Sequence, residues 1–299
     1  MAFSFNKESI AIAKNQTIGV SLWRPDLDWL DPKSGGESIE SLPAKLWVLG
    51  LGHLGQAYLW AMSFLPYTES STPLIMLQDD DDIVEANYGA GLLTEEKHVG
   101  QKKTRRCATW LEDLHYTTLI TERKFDSITK RSDGEPFIAV CGFDNAQSRI
   151  HLENAGFDLV VECGIGGKLD SFDDFTIHTF PGTARTPAQL WGAPSEAEVN
   201  KSILKEIKAI EEEKCGALYD ALSKKAISTA FVGMLAGAFV IAEVVRAANW
   251  GTRYEQVNFQ LRCQKYMGAY IMGTYSTEAA RNGVLPVNYE ASPYVEPLD

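Results

Sequence analysis

The chain has 299 residues, a formal net charge of −12 and a hydrophobic fraction of 45%. It can bury one large α/β core or two smaller ones, and its acidity disfavours a nucleic-acid partner, whose phosphates it would repel overall. The five cysteines, Cys107, Cys141, Cys163, Cys215 and Cys263, are odd in number, widely spaced and never C-x-x-C, which argues against a disulfide framework and against structural zinc.

Residues 1–43 read as an N-terminal extension, and 44–299 as the main domain. The opening MAFSFNKESIAIAKN lacks the apolar core and cleavage pattern of a signal peptide, so a cytoplasmic location is expected. Thr17 to Trp23 is compatible with a short strand or a helix start. DPKSGGES is a loop by its Gly, Ser and Pro content.

Leu46 to Leu49 predicts a buried parallel strand. It runs into Gly50-Leu51-Gly52-His53-Leu54-Gly55, a G-x-G-x-x-G turn. Leu54, Tyr58, Ala61 and Leu65 then recur at helical spacing before Pro66. A strand, a glycine turn and a helix in this order surround an anionic phosphate with backbone N–H groups. Gly50 allows the tight turn, Gly52 the approach of a phosphate, and Gly55 close packing of helix on strand. A second apolar run, Leu74 to Leu77, ends in Gln78-Asp79-Asp80-Asp81-Asp82. A carboxylate at this strand tip suits a ribose hydroxyl, which favours Asp79; Asp80 and Asp82 read as a solvated turn.

Thr94-Glu95-Glu96 suggests a helical turn. After Gly100 comes a helix with Cys107, Leu111 and Leu114 on an apolar stripe and Lys102, Lys103, Arg105 and Arg106 in its first turns. Cations there oppose the helix dipole. Either they form a solvated face or one lysine reaches a phosphate. Phe137 to Val140 predicts a third buried strand leading to Asp144 and Asn145 at its carboxyl end, followed by a helix. Leu159 to Val161 is a further strand. Phe172 to Phe180 alternates, as a half-buried antiparallel strand does, with His178 read as structural. A Pro-rich loop and a charged helical stretch reach Cys215 within 181–225. The apolar helix Ala226 to Ala247 is interrupted by Gly233 and Gly237 and includes Glu243 and Arg246, so it reads as a buried helix and not a membrane span. Val257 to Cys263 is a late strand, with Ala269 to Tyr275 as its hairpin partner. The fold class expected is α/β, a Rossmann-like, mainly parallel sheet with helices on both faces and late antiparallel strands.

Taken in order, these motifs resemble the ThiF/MoeB/HesA superfamily, the adenylating fold of the ubiquitin-activating enzymes. GLGHLG is similar to its glycine turn. Asp79 to Asn87 is similar to its D-x-D-x-V-x-x-x-N stretch, with Asp79 and Asp81 at the acidic places. Gly100-Gln101-Lys102-Lys103 matches G-[QK]-x-K, and Gly142-Phe143-Asp144-Asn145 with Arg149 is similar to T-D-N with its following arginine. The late glycine-containing helix, Phe231 to Glu243, also corresponds. The resemblance covers roughly Lys45 to Leu261.

The resemblance implies ATP over Gly50, Gly52, His53, Leu54 and Gly55, with the ribose on Asp79. Asp81, Asn87, Lys103, Asp144 and Asn145 would complete the site, and Asp144 would carry Mg²⁺. The implied reaction is adenylation of the C-terminal carboxylate of a ubiquitin-like or sulfur-carrier protein or peptide, usually ending in Gly-Gly. The implied assembly is a homodimer through the late apolar helix, or a heterodimer with a related subunit. Lys103, Asp144 and Cys215 would be the catalytic residues, Cys215 as an acyl-accepting thiol. The zinc-binding C-x-x-C pairs of many members are missing, so zinc is not expected.

The pattern departs from the family at N-x-x-R-Q, where Asn87 is followed by Tyr88, Gly89, Ala90 and Gly91. Ala90 stands in the place of a phosphate-binding arginine. Arg105 or Arg106 is a possible substitute, and Arg24 is the sole arginine before the core. Two other readings stay open: a catalytically silent family member that binds a partner, and an NAD(P)-dependent oxidoreductase on the same glycine turn. The oxidoreductase gives no role to GQKK or to Asp144-Asn145.

Overall fold

A computed structural model of the chain describes residues 19–36, 38–68, 71–166, 173–192, 229–261, 267–276 and 282–287. The expected helix leading to Cys215, and Cys263 itself, lie outside these residues.

Strand β1 (Ser41–Pro43) leads into β2 (Lys45–Leu49), whose last four residues are buried. Gly50 turns the chain at φ +79° into helix α1 (His53–Met62). Strand β3 (Leu74–Gln78) is followed by the short helix α2 (Glu85–Tyr88), a 3-10 turn at Glu96–His98, and helix α3 (Lys103–Glu112). Cys107 and Leu111 enter the core as expected, but Leu114 falls beyond the helix end and is exposed. Strand β4 (Thr117–Thr121) has no apolar alternation and is exposed or half-buried along its length. Then come β5 (Ile138–Cys141), α4 (Ala146–Ile150), β6 (Leu159–Ile165), β7 (Asp174–Phe180) and α5 (Pro187–Trp191). Helix α6 (Ala230–Ala248), strands β8 (Thr252–Gln260) and β9 (Gly268–Thr274), and β10 (Val284–Pro286) follow.

Among the described residues, eight strands form one sheet in the order β4-β3-β2-β5-β6-β7-β8-β9. The run from β4 to β6 is parallel; β7, β8 and β9 join antiparallel. This is the expected α/β class, and the hairpin of β8 with β9 is the predicted late pair. β1 pairs separately with β10. The alternation in β2 divides the core between the two faces. Leu46 and Val48 pack with α1, α3 and α6, whereas Trp47 and Leu49 join Met76, Phe125, Leu152 and Phe180 on the other side.

Helix α6 is long and apolar enough to cross a membrane by length and composition, and 67% of its apolar window is buried within the chain. A Cβ on Gly237 would stand 2.6 Å from the Ala57 carbonyl oxygen, so this glycine lets α6 lie directly on α1. The helix therefore uses most of its apolar surface inside the chain. At its far end the chain before β1 is tied down. Arg24 grips Asp26 at 2.8 and 2.7 Å, Tyr254 donates to the same carboxylate, and Arg246 bonds both Glu243 and the Leu22 carbonyl.

Candidate nucleotide-binding cleft

The parallel strand order reverses direction between β2 and β5, and ligands of open α/β sheets bind outside the carboxyl ends at such a point. A cleft of about 790 Å³ opens there. Its floor is the glycine turn. The Gly50 N–H is held by the Gln78 carbonyl at 2.9 Å, which leaves the turn standing on β3. Nothing occupies the space a Cβ would take on Gly52. Helix α1 has no side-chain cap and no acidic residue in its first turn, so its leading amides are free for an anion. Gly55 plays a different part from the other glycines. A Cβ there would lie 1.9 Å from the Gly50 oxygen, so Gly55 seals helix against turn and does not line the cleft.

Asp79 is set by backbone donors. Its carboxylate accepts the Leu51 N–H at 2.6 Å and the Asp81 N–H at 2.8 Å. Burial pushes its carboxyl up from the ordinary value, against the opposing pull of Lys103 and those two amides. Lys103, at the start of α3, is 7% exposed and bridges Asp81 at 2.7 Å. Of the two readings of the basic run, this lysine is therefore the one turned into the site. Lys102 instead pairs with Asp82 at 3.0 Å. Asn87 caps its own short helix, its Oδ1 accepting the Val84 N–H at 2.9 Å, and it lines the cleft.

The loop after β5 forms the opposite wall. Gly142 N–H reaches the Leu49 carbonyl at 2.9 Å, and Asn145 caps α4 through the Ser148 N–H at 2.8 Å. Between them Asp144 is exposed, with the Asn145 amide as its hydrogen-bond neighbour at 3.2 Å and no ion-pair partner among the described residues. Gly50, Gly52, His53, Leu54, Asp79, Asp81, Asn87, Lys103, Asp144 and Asn145 thus all meet in one cleft.

Ala90 also lines it, so the family's arginine place is short and uncharged here. The proposed substitutes do not fill it. Arg105 pairs with Glu122 at 2.7 Å and Arg106 donates to the Leu93 carbonyl at 2.7 Å; Arg24, the sole arginine before the core and no candidate for this place, is engaged by Asp26. The cations that do line the cleft with Lys103 are Arg123 and Lys124, just past β4, and Arg149 on α4. Sequence reading missed the first two because β4 has no strand signature. Buried Gln56 was missed as well. It donates to the Leu51 carbonyl at 3.2 Å and accepts the Leu93 N–H at 2.9 Å, bracing the turn against the segment after Ala90.

Cys107, Cys141 and Cys163 are buried, and burial pushes each thiol up, Cys107 to about 12. A thiol that holds its proton is no nucleophile.

Residues 42–251 match the family described as the BilD C-terminal domain. A curated relative, the bacterial E1-like protein BilD of Collimonas sp. (strain OK412), is 36% identical over 248 residues, covering 82% of this chain and 53% of that protein. The chain thus spans about half the length of this curated relative. Two crystal structures of E. coli MccB share the fold. The one with AMPCPP and selenomethionine MccA is 17% identical at a TM-score of 0.51, covering 78% of this chain and 64% of that chain. MccB alone gives 17% identity and a TM-score of 0.51, covering 78% and 63%.

Proposed function

The chain belongs to the BilD C-terminal domain family, whose curated relative is named E1-like, and from that premise and the resemblance of its motifs to the ThiF/MoeB/HesA superfamily we propose that it adenylates the C-terminal carboxylate of a protein or peptide at the expense of ATP. One observation carries this reading: an uncapped helix terminus, buried Lys103, Asp79 and Asp144 converge on a single cleft at the sheet's switch point. The E1-like name of the curated relative and the AMPCPP of the MccB complex agree with it.

The charge balance argues for a divalent cation. Asp79, Asp80, Asp81, Asp126 and Asp144 line the cleft against Lys103, Arg123, Lys124 and Arg149. These side chains alone do not offset a triphosphate. Asp144, exposed and without an ion-pair partner among the described residues, offers a carboxylate that suits a Mg²⁺ keeping most of its waters. That ion would supply charge neutralisation for two anions that must meet. In the reaction a carboxylate oxygen bonds to the α-phosphorus, the bond from that phosphorus to the β-phosphate's bridging oxygen breaks, and pyrophosphate leaves. Lys103 and the α1 amides hold fixed positive charge where negative charge develops, which costs no reorganisation during the step. Asp79 receives the ribose hydroxyls.

The substrate class is a ubiquitin-like or sulfur-carrier protein with a small, Gly-Gly-type terminus. Any further transfer to a thiol would use a cysteine outside the described core, in which Cys107, Cys141 and Cys163 are sealed; of Cys215 and Cys263, Cys215 is the one the family resemblance favours. The test is pyrophosphate exchange into ATP, dependent on the carboxylate substrate. Asp144→Ala and Lys103→Ala should each lower exchange by about 10²- to 10³-fold. Ala90 favours one rival reading, a silent subunit that binds nucleotide or a partner without turnover. Nucleotide binding by the full chain with no exchange on any Gly-Gly substrate would select it.

A further inference from the structure

Asp144 sits between neighbours that are individually anchored, and the strongest anchor is not on its own loop. The Arg149 guanidinium reaches back from α4 to the Phe143 carbonyl, with Nε at 3.1 Å and Nη2 at 2.5 Å. The orientation of that carbonyl fixes the peptide plane entering Asp144, and with it the place of the Asp144 Cα from which the side chain projects. Arg149 is itself held. Its Nε lies 3.1 Å from the Glu162 carboxylate on β6, and Glu162 is 0% exposed. The second Glu162 oxygen meets His178 Nδ1 on β7 at 3.1 Å. Gly164 leaves room for the guanidinium: a Cβ there would stand 3.1 Å from Nη1. Trp191 closes the cluster, edge-on to His178 and 5.5 Å from the Arg149 guanidinium carbon.

A fully buried carboxylate is costly unless it is paired. Three elements here form one chain of contacts, from His178 on β7 to Glu162 on β6, to Arg149 on α4 and so to one loop carbonyl. Packing alone does not call for this, since β6 is otherwise apolar where it is buried. We infer that Arg149, oriented by Glu162 and His178, is the positioning residue that holds Asp144 in its metal-binding position. The inference rests on the adenylation reading and on Asp144 as the metal carboxylate. Outer partners of this kind are worth about 10- to 100-fold in metal affinity.

The experiment uses Mn²⁺ in place of Mg²⁺ and AMPCPP as the nucleotide, with free Mn²⁺ followed by electron paramagnetic resonance on the full chain. The wild type should bind Mn²⁺ only with the nucleotide, and Asp144→Ala should abolish it. At AMPCPP concentrations that saturate each variant, Arg149→Gln should raise the Mn²⁺ midpoint about tenfold. Glu162→Gln, which keeps the side chain's shape, should shift it in the same direction, and it decides the matter where Arg149→Gln does not fold. Arg105→Ala, which removes a surface cation outside the cleft, should leave the midpoint alone. Folded Arg149 and Glu162 variants with wild-type midpoints, alongside a deficient Asp144→Ala, overturn the positioning role and leave the adenylation reading intact. Absence of nucleotide-dependent Mn²⁺ binding in the wild type overturns both.

Discussion

At the glycine turn a single methyl group separates a working floor from a disrupted one. A Cβ added at Gly55 lands 1.9 Å from the Gly50 carbonyl oxygen and 2.9 Å from its carbon, both backbone atoms that cannot rotate away. Gly55→Ala must therefore push α1 off β2 or shift the turn. The expected cost is about 1–3 kcal/mol by urea denaturation, with nucleotide affinity falling alongside; an unchanged midpoint would show that the turn tolerates the side chain. Gly52 has open space at the same position, so Gly52→Ala should spare stability and damage binding alone. The distinction shows how much of the site was legible. The glycines, Asp79 and Asp144 follow from local pattern, because each stands at a strand tip or helix start that the sequence marks, whereas Lys103 was singled out of its basic run only by the family resemblance. Arg123, Lys124 and Gln56 do not, since what brings them to the cleft is tertiary convergence. The same limit misassigned Arg105 and Arg106, which share a helix with Lys103 but point elsewhere.

At the scale of elements, α6 on α1 is the contact that fixes the cleft's floor from behind. Gly237 meets the Ala57 carbonyl oxygen, and Gly233 faces the His53 ring, where a Cβ would come within 2.2 Å of Nε2. Backbone is the immovable partner at Gly237, so Gly237→Val should destabilise by about 1–3 kcal/mol or more and loosen the turn. Gly233→Ala, by contrast, displaces only the imidazole and should change the cleft with a smaller loss of stability; thermal melts of the two variants with and without ATP separate these effects. The segment before β1 offers a pH test at the other end of α6. Arg24 beside Asp26 holds its carboxyl below the ordinary 3.8, with the Tyr254 hydroxyl adding to the effect. A carboxyl with a lowered folded value contributes fully above 3.8 and loses that contribution as pH falls through the folded value. Asp26→Asn should thus lower the urea midpoint at pH 7 and converge with the wild type well below pH 3.8. Parallel curves at all pH values would show that the pair contributes nothing through its charge.

Among the described residues the main sheet carries a layer on each face, and its general form was readable because the buried strands β2, β3, β5 and β6 are short apolar runs spaced by helices. β4 escaped because an edge strand with little burial needs no apolar pattern. Whether the two layers melt as one unit is a separate question, and the cysteines answer it. Cys107 and Cys163 belong to the layer of α1, α3 and α6, and Cys141 to the opposite one. Burial removes both access and thiolate, so alkylation of each requires opening of its own layer. The parallel strands join both layers through shared backbone, with β2 contributing alternate side chains to each. Opening either face exposes the other, and the three thiols should share one rate. Iodoacetamide at pH 8 with peptide mapping should find all three slowed by about a thousandfold or more relative to an exposed thiol, accelerating together as urea rises. Fast labelling of Cys141 with Cys107 and Cys163 protected would mean that the face carrying Trp47, Leu152 and Phe180 opens alone. The loop bearing Asp144, which follows directly from Cys141, would then move with it, and the cleft would have one rigid wall and one hinged one.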